Sequence, residues 1–140
     1  MADFFGWTTF PTLRKVYVKM TFDEARIRAA LRQAWSPETA VQWTEENPAL
    51  GQCNVTAAVI CDLFGGKVLR TRYPDIWHYY NEIDGARYDL TDSQFKDPGA
   101  VFQAPEVYQD DVSTKEAAME GIPQREYDTL RAALLRILDC

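Results

Sequence analysis

The sequence predicts an α+β domain, a set of helices packed on a small antiparallel sheet, and three stretches make the case. "GQCNVTAAVICDLFGG", residues 51 to 66, is uncharged as far as Asp62 and stops at a glycine pair, the pattern of a buried helix with a glycine C-cap. "IWHYYNEIDGARYDLT" sets two β-prone arms around Asp84-Gly85, the dipeptide favoured in a two-residue type I′ hairpin. "PQREYDTLRAALLRILDC" places Tyr127, Leu130, Leu134, Ile137 and Leu138 on one stripe, a terminal helix that packs on the body.

Taken in order, residues 1–20 form a segment to which the sequence gives no role. Its aromatics Phe4, Phe5, Trp7 and Phe10 are suited to packing on the core or a partner, and "VYVKM" is compatible with a strand. The domain proper runs from 21 to 140. "TFDEARIRAALRQAW" reads as a helix, with Thr21 and Glu24 at capping-box spacing and Phe22, Ala25, Ala29, Leu31 and Trp35 on its apolar face. Ser36-Pro37 ends it, and "PETAVQWTEENP" is expected to hold a second short helix closing at Asn47-Pro48. The buried helix, from about Gly51 to Phe64, follows, with Cys61 inside it as core and Asp62 at its solvent end. "KVLRTRY" is a strand turned by "PD" into the hairpin. After a loop-rich return, "STKEAAMEG" gives a short helix with Ser113 and Glu116 as a second capping box.

A chain of 140 residues has room for one domain with one core, and its 46% hydrophobic residues suffice without metal or disulfide staples. A net charge of -6 argues against a grip on nucleic acid or anionic lipid, since both need surplus cations to displace counterions. No stretch reaches the ~18 apolar residues of a membrane span. The cysteines, Cys53, Cys61 and Cys140, are three in number and fit neither a paired framework nor a metal knuckle. With no secretory signal in the first 20 residues, reduced thiols in a cytoplasm are the expectation. Cys53, Cys61 and His78 lack any zinc-ligand spacing, so neither metal nor cofactor is expected.

The hairpin fixes what His78, the one histidine, can face. With Asp84 and Gly85 in the turn, Ile83 faces Ala86, Tyr80 faces Asp89 and His78 faces Thr91. Side chains alternate along a strand, so His78, Tyr80, Asp89 and Thr91 share one face, with Asp89 diagonal to His78. A thiol nucleophile needs a base, a group to orient that base, and donors for the developing oxyanion. Cys53, His78 and Asp89 can serve as the nucleophile, the base and the orienting group. A cysteine in the first turn of a helix meets unpaired N–H groups that favour thiolate and can hold an oxyanion. Gly51 permits close approach of a carbonyl, and the amides of Gln52 or Asn47 add donors, Gln52 being nearer in sequence. Taken singly, a helix-start Cys is usually a small buried residue and a strand His usually a structural one. Their joint arrangement is what points to chemistry.

"NPALGQCNVTAAVICDLFGGKVLRT", "HYYNEIDGARYDLTDSQF" and "REYDTL" together resemble the YunG family of small bacterial proteins, over roughly Phe22 to Leu138. More distantly, a helix-borne Cys followed by His and Asp on successive antiparallel strands is similar to the papain-like, cysteine-proteinase fold and its transglutaminase-like members. That resemblance implies Cys53 as nucleophile, His78 as general base and acid, and Asp89 as its orienter. It implies a thiol-dependent amide or isopeptide hydrolase, deamidase or acyl transferase acting on a peptide, a protein or a small amide or thioester. The gaps of 25 and 11 residues between the three leave few loops for a substrate groove. The other expectation is a non-catalytic binding or regulatory protein that keeps the fold and uses the aromatic face of Trp77, Tyr79 and Tyr80, with the Phe-rich N-terminus, for a partner.

Overall fold

The computed structural model describes residues 20–72 and 74–139. The expectations for the N-terminal aromatics, and for Cys140, lie outside those residues. From Met20 the chain runs extended onto the core: Met20 N donates to Leu63 O at 3.4 Å, and Phe22 packs against Phe64 and Tyr88, ring centroids 5.5 and 4.7 Å away. This anchorage carries the chain past Thr21, so helix α1 (Glu24–Ala34) is capped by Asp23, which accepts from Arg26 N at 3.2 Å. The capping box expected at Thr21 and Glu24 is therefore displaced. The buried face is Ile27, Ala30, Leu31 and Ala34, while Ala25 and Ala29 are exposed. Ile27 and Leu31 bury more apolar area than an alanine pair, which decides the rotation of the helix.

Residues 36–48 form turns rather than the expected second helix. Ser36 accepts from Thr39 N at 3.0 Å through its carbonyl and from Glu38 N at 3.1 Å through its hydroxyl. Thr39 and Asn47 are both fully buried with side-chain bonds to Gln52 and to the Gln94 carbonyl, and the irregular chain between them is what brings each to its partner.

Helix α2 (Cys53–Phe64) is the centre of the molecule, with Val55 through Ile60, Leu63 and Phe64 all buried. It packs on the sheet through the strand Trp77–Ile83 on one side and on helix α4 (Gln124–Leu138) on another, and α4 also meets α1. Gly65 and Gly66 end it at positive φ, 84° and 77°. Cys61, expected in the core, is only half-buried, at the edge of a small cluster of Ala57, Val68, Tyr79 and Ala118. Asp62 is at the solvent end, ion-paired to Lys115 at 2.7 Å and hydrogen-bonded by Tyr127.

Strands β1 (Lys67–Arg72), β2 (Trp77–Ile83), β3 (Ala86–Tyr88) and β4 (Asp111–Ser113) form one antiparallel sheet in the order β3-β2-β1-β4. The β2–β3 register is the expected one, Ile83 opposite Ala86 and Asn81 opposite Tyr88, around a turn with positive φ at both Asp84 and Gly85. The ladder ends at Tyr88, and a 3-10 turn, Asp92–Phe95, follows. Strand β4 pairs with β1 where the sequence suggested loop and helix start. Ser113 belongs to that strand, and Thr114 instead caps the short helix α3 (Lys115–Ala118), accepting from Ala117 N at 3.0 Å. Among the described residues no helix is long and apolar enough to cross a membrane.

Candidate active site

Cys53 is the first residue of α2, half-buried, at the end where the helix N–H groups lack intrahelical partners. The chain reaches it through Gly51, whose φ of 75° favours glycine and whose missing Cβ would stand 2.3 Å from Gln42 Oε1. The Cys53 thiol donates to Asn54 Oδ1 at 3.3 Å, and Asn54 is itself held by its Nδ2 bond to Ala118 O at 2.8 Å.

Facing it is a buried pair. His78 on β2 is 4% exposed and Asp89, one residue past the end of β3, is 7% exposed; His78 Nε2 donates to Asp89 Oδ2 at 2.8 Å. The diagonal neighbour chosen by hairpin register is thus the real partner, although Asp89 lies beyond the ladder. Tyr108 OH donates to the same Oδ2 at 2.7 Å, and Thr91 Oγ1 donates more weakly to Oδ1 at 3.4 Å. Arg28 of α1 clamps the segment from outside, bonding Asp89 O at 3.1 Å and Asp92 Oδ1 at 2.9 Å. Gln94 Nε2 donates to Thr91 Oγ1 at 3.0 Å, and Gln94 O accepts from Asn47 Nδ2 at 3.0 Å, tying the 3-10 turn to the chain before α2.

Two opposing effects act on the imidazole. Burial pulls the His78 pKa down, but the Asp89 hydrogen bond, the Cys53 side chain as a hydrogen-bonding partner, and the charges of both outweigh it and push the value up to about 10. Burial and the Asp89 carboxylate both push the Tyr108 phenol upward, so it remains a donor at any ordinary pH.

Cys53, His78, Gly51 and Trp77 line one cavity of about 250 Å³, closed further by Phe95 and Phe102. The other expected residues fall around it. Tyr80 stacks on His78, centroids 5.9 Å apart, but its hydroxyl turns to Asp110, so it supports the imidazole and does not line the cavity. Gln52 is fully buried; Thr39 Oγ1 donates to its Oε1 at 2.8 Å, and its Nε2 has no partner among the described residues. Asn47 spends its Nδ2 on Gln94, and its Oδ1 has no partner among the described residues, so in this arrangement it fixes the 3-10 turn. Tyr108, Gln94 and Phe95, which packs edge-on to His78 at 5.2 Å, were not singled out in the sequence. Nothing local marks Tyr108 in "APEVYQDD", whereas "DLTDSQF" does hold Gln94 and Phe95 close behind Asp89. Among the described residues no group of three His, Cys, Asp or Glu side chains is placed to hold a metal ion.

Fold and cavity together define a small α+β protein in which a helix-start cysteine shares one cavity with a histidine that is hydrogen-bonded to a buried aspartate. It belongs to the YunG family, whose model, described as YunG protein, matches residues 23–139. The chain is 43% identical over 110 residues to the uncharacterized protein YunG of Bacillus subtilis (strain 168), an alignment covering 79% of this chain and 90% of that protein. No solved structure matches the chain. The α+β architecture therefore stands on its own coordinates, with no papain-like structural relative behind it.

Proposed function

We propose that this cavity is the centre of a thiol-dependent acyl-transfer enzyme, an amide or isopeptide hydrolase, deamidase or acyl transferase, with papain-like division of labour among Cys53, His78 and Asp89. The observation that carries the reading is the buried His78–Asp89 bond beside Cys53. With Nε2 committed to Asp89, Nδ1 is the ring nitrogen left for the thiol. A pKa of about 10 keeps the ring protonated at neutral pH, and an adjacent cation stabilises a thiolate. In the proposed sequence Cys53 Sγ attacks a carbonyl carbon, and the tetrahedral oxyanion is held by N–H groups at the start of α2. His78 passes its proton to the departing amine or ammonia as the C–N bond breaks, leaving a thioester on Cys53. Neutral His78 then takes a proton from water, giving a carboxylic acid, or from an amine, giving transfer, and the thiol is released.

Two further features support the reading. Gln52 Nε2 is a buried donor with no partner among the described residues, one residue before Cys53, an arrangement that costs about 1–3 kcal/mol unless a ligand satisfies it. Ile76 and Phe102, 52% and 36% exposed, stand in the cavity wall, an apolar surround better matched to an acyl group borne on a peptide or protein than to a small polar amide.

Iodoacetamide alkylation followed residue by residue tests this proposal. At pH 6 Cys53 is expected to react at least about tenfold faster than Cys61, and His78→Ala to abolish the difference. Equal rates at Cys53 and Cys61 in the wild type across the pH range would sink it and leave the non-catalytic binding protein as the better description.

A further inference from the structure

Asp89 is held by one donor that the hairpin supplies and by another that comes from far along the chain. We propose that Tyr108 is a positioning residue of the Cys53 site: its hydroxyl pins Asp89 Oδ2 so that His78 stays bound through Nε2 and presents its other nitrogen to Cys53. What it positions rests on the thiol reading above; the pinning itself does not.

The geometry supports this in three ways. First, Tyr108 OH and His78 Nε2 meet the same carboxylate oxygen at 2.7 and 2.8 Å, while among the described residues Oδ1 has only the 3.4 Å contact of Thr91. A carboxylate gripped by His78 alone is free to rotate about its χ2, a broad torsion, and the imidazole would turn with it. Second, the corner that delivers the phenol is built at some cost. Thr71 Oγ1 accepts from Gln109 N and donates to Val107 O, both at 3.1 Å, and Gln109 Oε1 accepts from Arg72 N at 3.0 Å. Asp110 is held at a φ of 55°, a strained region for a non-glycine residue, by two Arg87 bonds of 2.8 and 2.7 Å and by its N–H on Tyr80 OH at 2.8 Å. Strain two residues beyond Tyr108, braced from three strands, is more than packing of one ring requires. Third, among the described residues the groups around the phenol leave it one acceptor. Arg87 lies over its ring at 4.8 Å, Tyr80 packs edge-on at 5.1 Å, and the more distant Asp92 acts only through its charge.

A single histidine makes the test direct, because one imidazole gives every ring signal. In uniformly 15N-labelled protein the His78 Nε2–H proton is expected to exchange slowly with water. Tyr108→Phe, which keeps the ring, is expected to speed that exchange about fivefold or more and to slow Cys53 alkylation at pH 6 by a similar factor, a change worth about one hydrogen bond. Arg87→Met, which loosens the corner from outside, is expected to act in the same direction and more weakly, and it serves if Tyr108→Phe does not fold. An unchanged Nε2–H exchange rate in a folded Tyr108→Phe protein would overturn the inference. Faster exchange in a protein whose wild-type Cys53 is no more reactive than Cys61 would keep the pinning role and remove the catalytic reading instead.

Discussion

His78 binds its proton more tightly in the folded chain than in the unfolded one, since its pKa of about 10 lies above the ordinary 6.5. The stability this contributes is complete below about pH 6.5 and is lost as the pH rises through about 10, because there the folded state binds more protons than the unfolded state. Urea unfolding of wild type and His78→Gln from pH 6 to pH 10 is expected to show the wild-type advantage shrinking by up to ~1.4 kcal/mol per pH unit. A flat advantage over that interval would mean that the pair is not charged. Asp89→Asn separates the causes. With the carboxylate gone, burial, the largest single influence, acts against the charged ring with less opposition, so the His78 pKa should fall toward or below 6.5 in an NMR titration. Cys53 alkylation at pH 6 is expected to fall with it by about tenfold.

At the scale of elements, the sequence showed what depends on near neighbours. The Asp84-Gly85 turn set the β2–β3 register, and the register alone selected Asp89 for His78 before any side-chain position was known. The glycine pair set the end of α2. What it did not show depends on distant contacts: Phe22 docking on Phe64 moves the α1 cap to Asp23, and the pairing of Val112 with Leu69 turns an expected loop into β4. The same division runs through the site. Cys53, His78, Asp89 and Gln52 lie within short, patterned stretches, while Tyr108 reaches Asp89 by a loop that no periodicity describes. Gly66 offers a check on the α2–β1 junction. A Cβ there would stand 2.0 Å from Glu82 O, a backbone atom in β2, and its φ is positive besides. Gly66→Ala is therefore expected to cost roughly 2 kcal/mol or more in urea unfolding, above the ~1 kcal/mol of left-handed strain alone. A loss under about 0.5 kcal/mol would show that the strand edge yields freely.

Across the whole molecule, scaffold and site occupy different ends of one helix. The main core gathers α1, α2 and α4 around Leu31, Val59, Ile60, Leu130 and Leu134 and reaches the opening turn of α2 through Val55, whereas Cys53 in that same turn meets the His78 cavity instead. Reactivity and global stability should then separate on mutation. Leu134, with no exposed surface, leaves a cavity when cut back to alanine, and about 2–5 kcal/mol of stability is expected to go with it. That is a large share of the ~5–15 kcal/mol typical of a single domain, so thermal unfolding should move down by many degrees. Yet well below that lowered transition, where the protein is still almost wholly folded, Cys53 should alkylate within about twofold of the wild-type rate, since Leu134 does not line the Cys53 cavity. A parallel loss of Cys53 reactivity in fully folded Leu134→Ala would mean that the core end of α2 sets the geometry of its first turn, and the separation of scaffold from site would have to be given up.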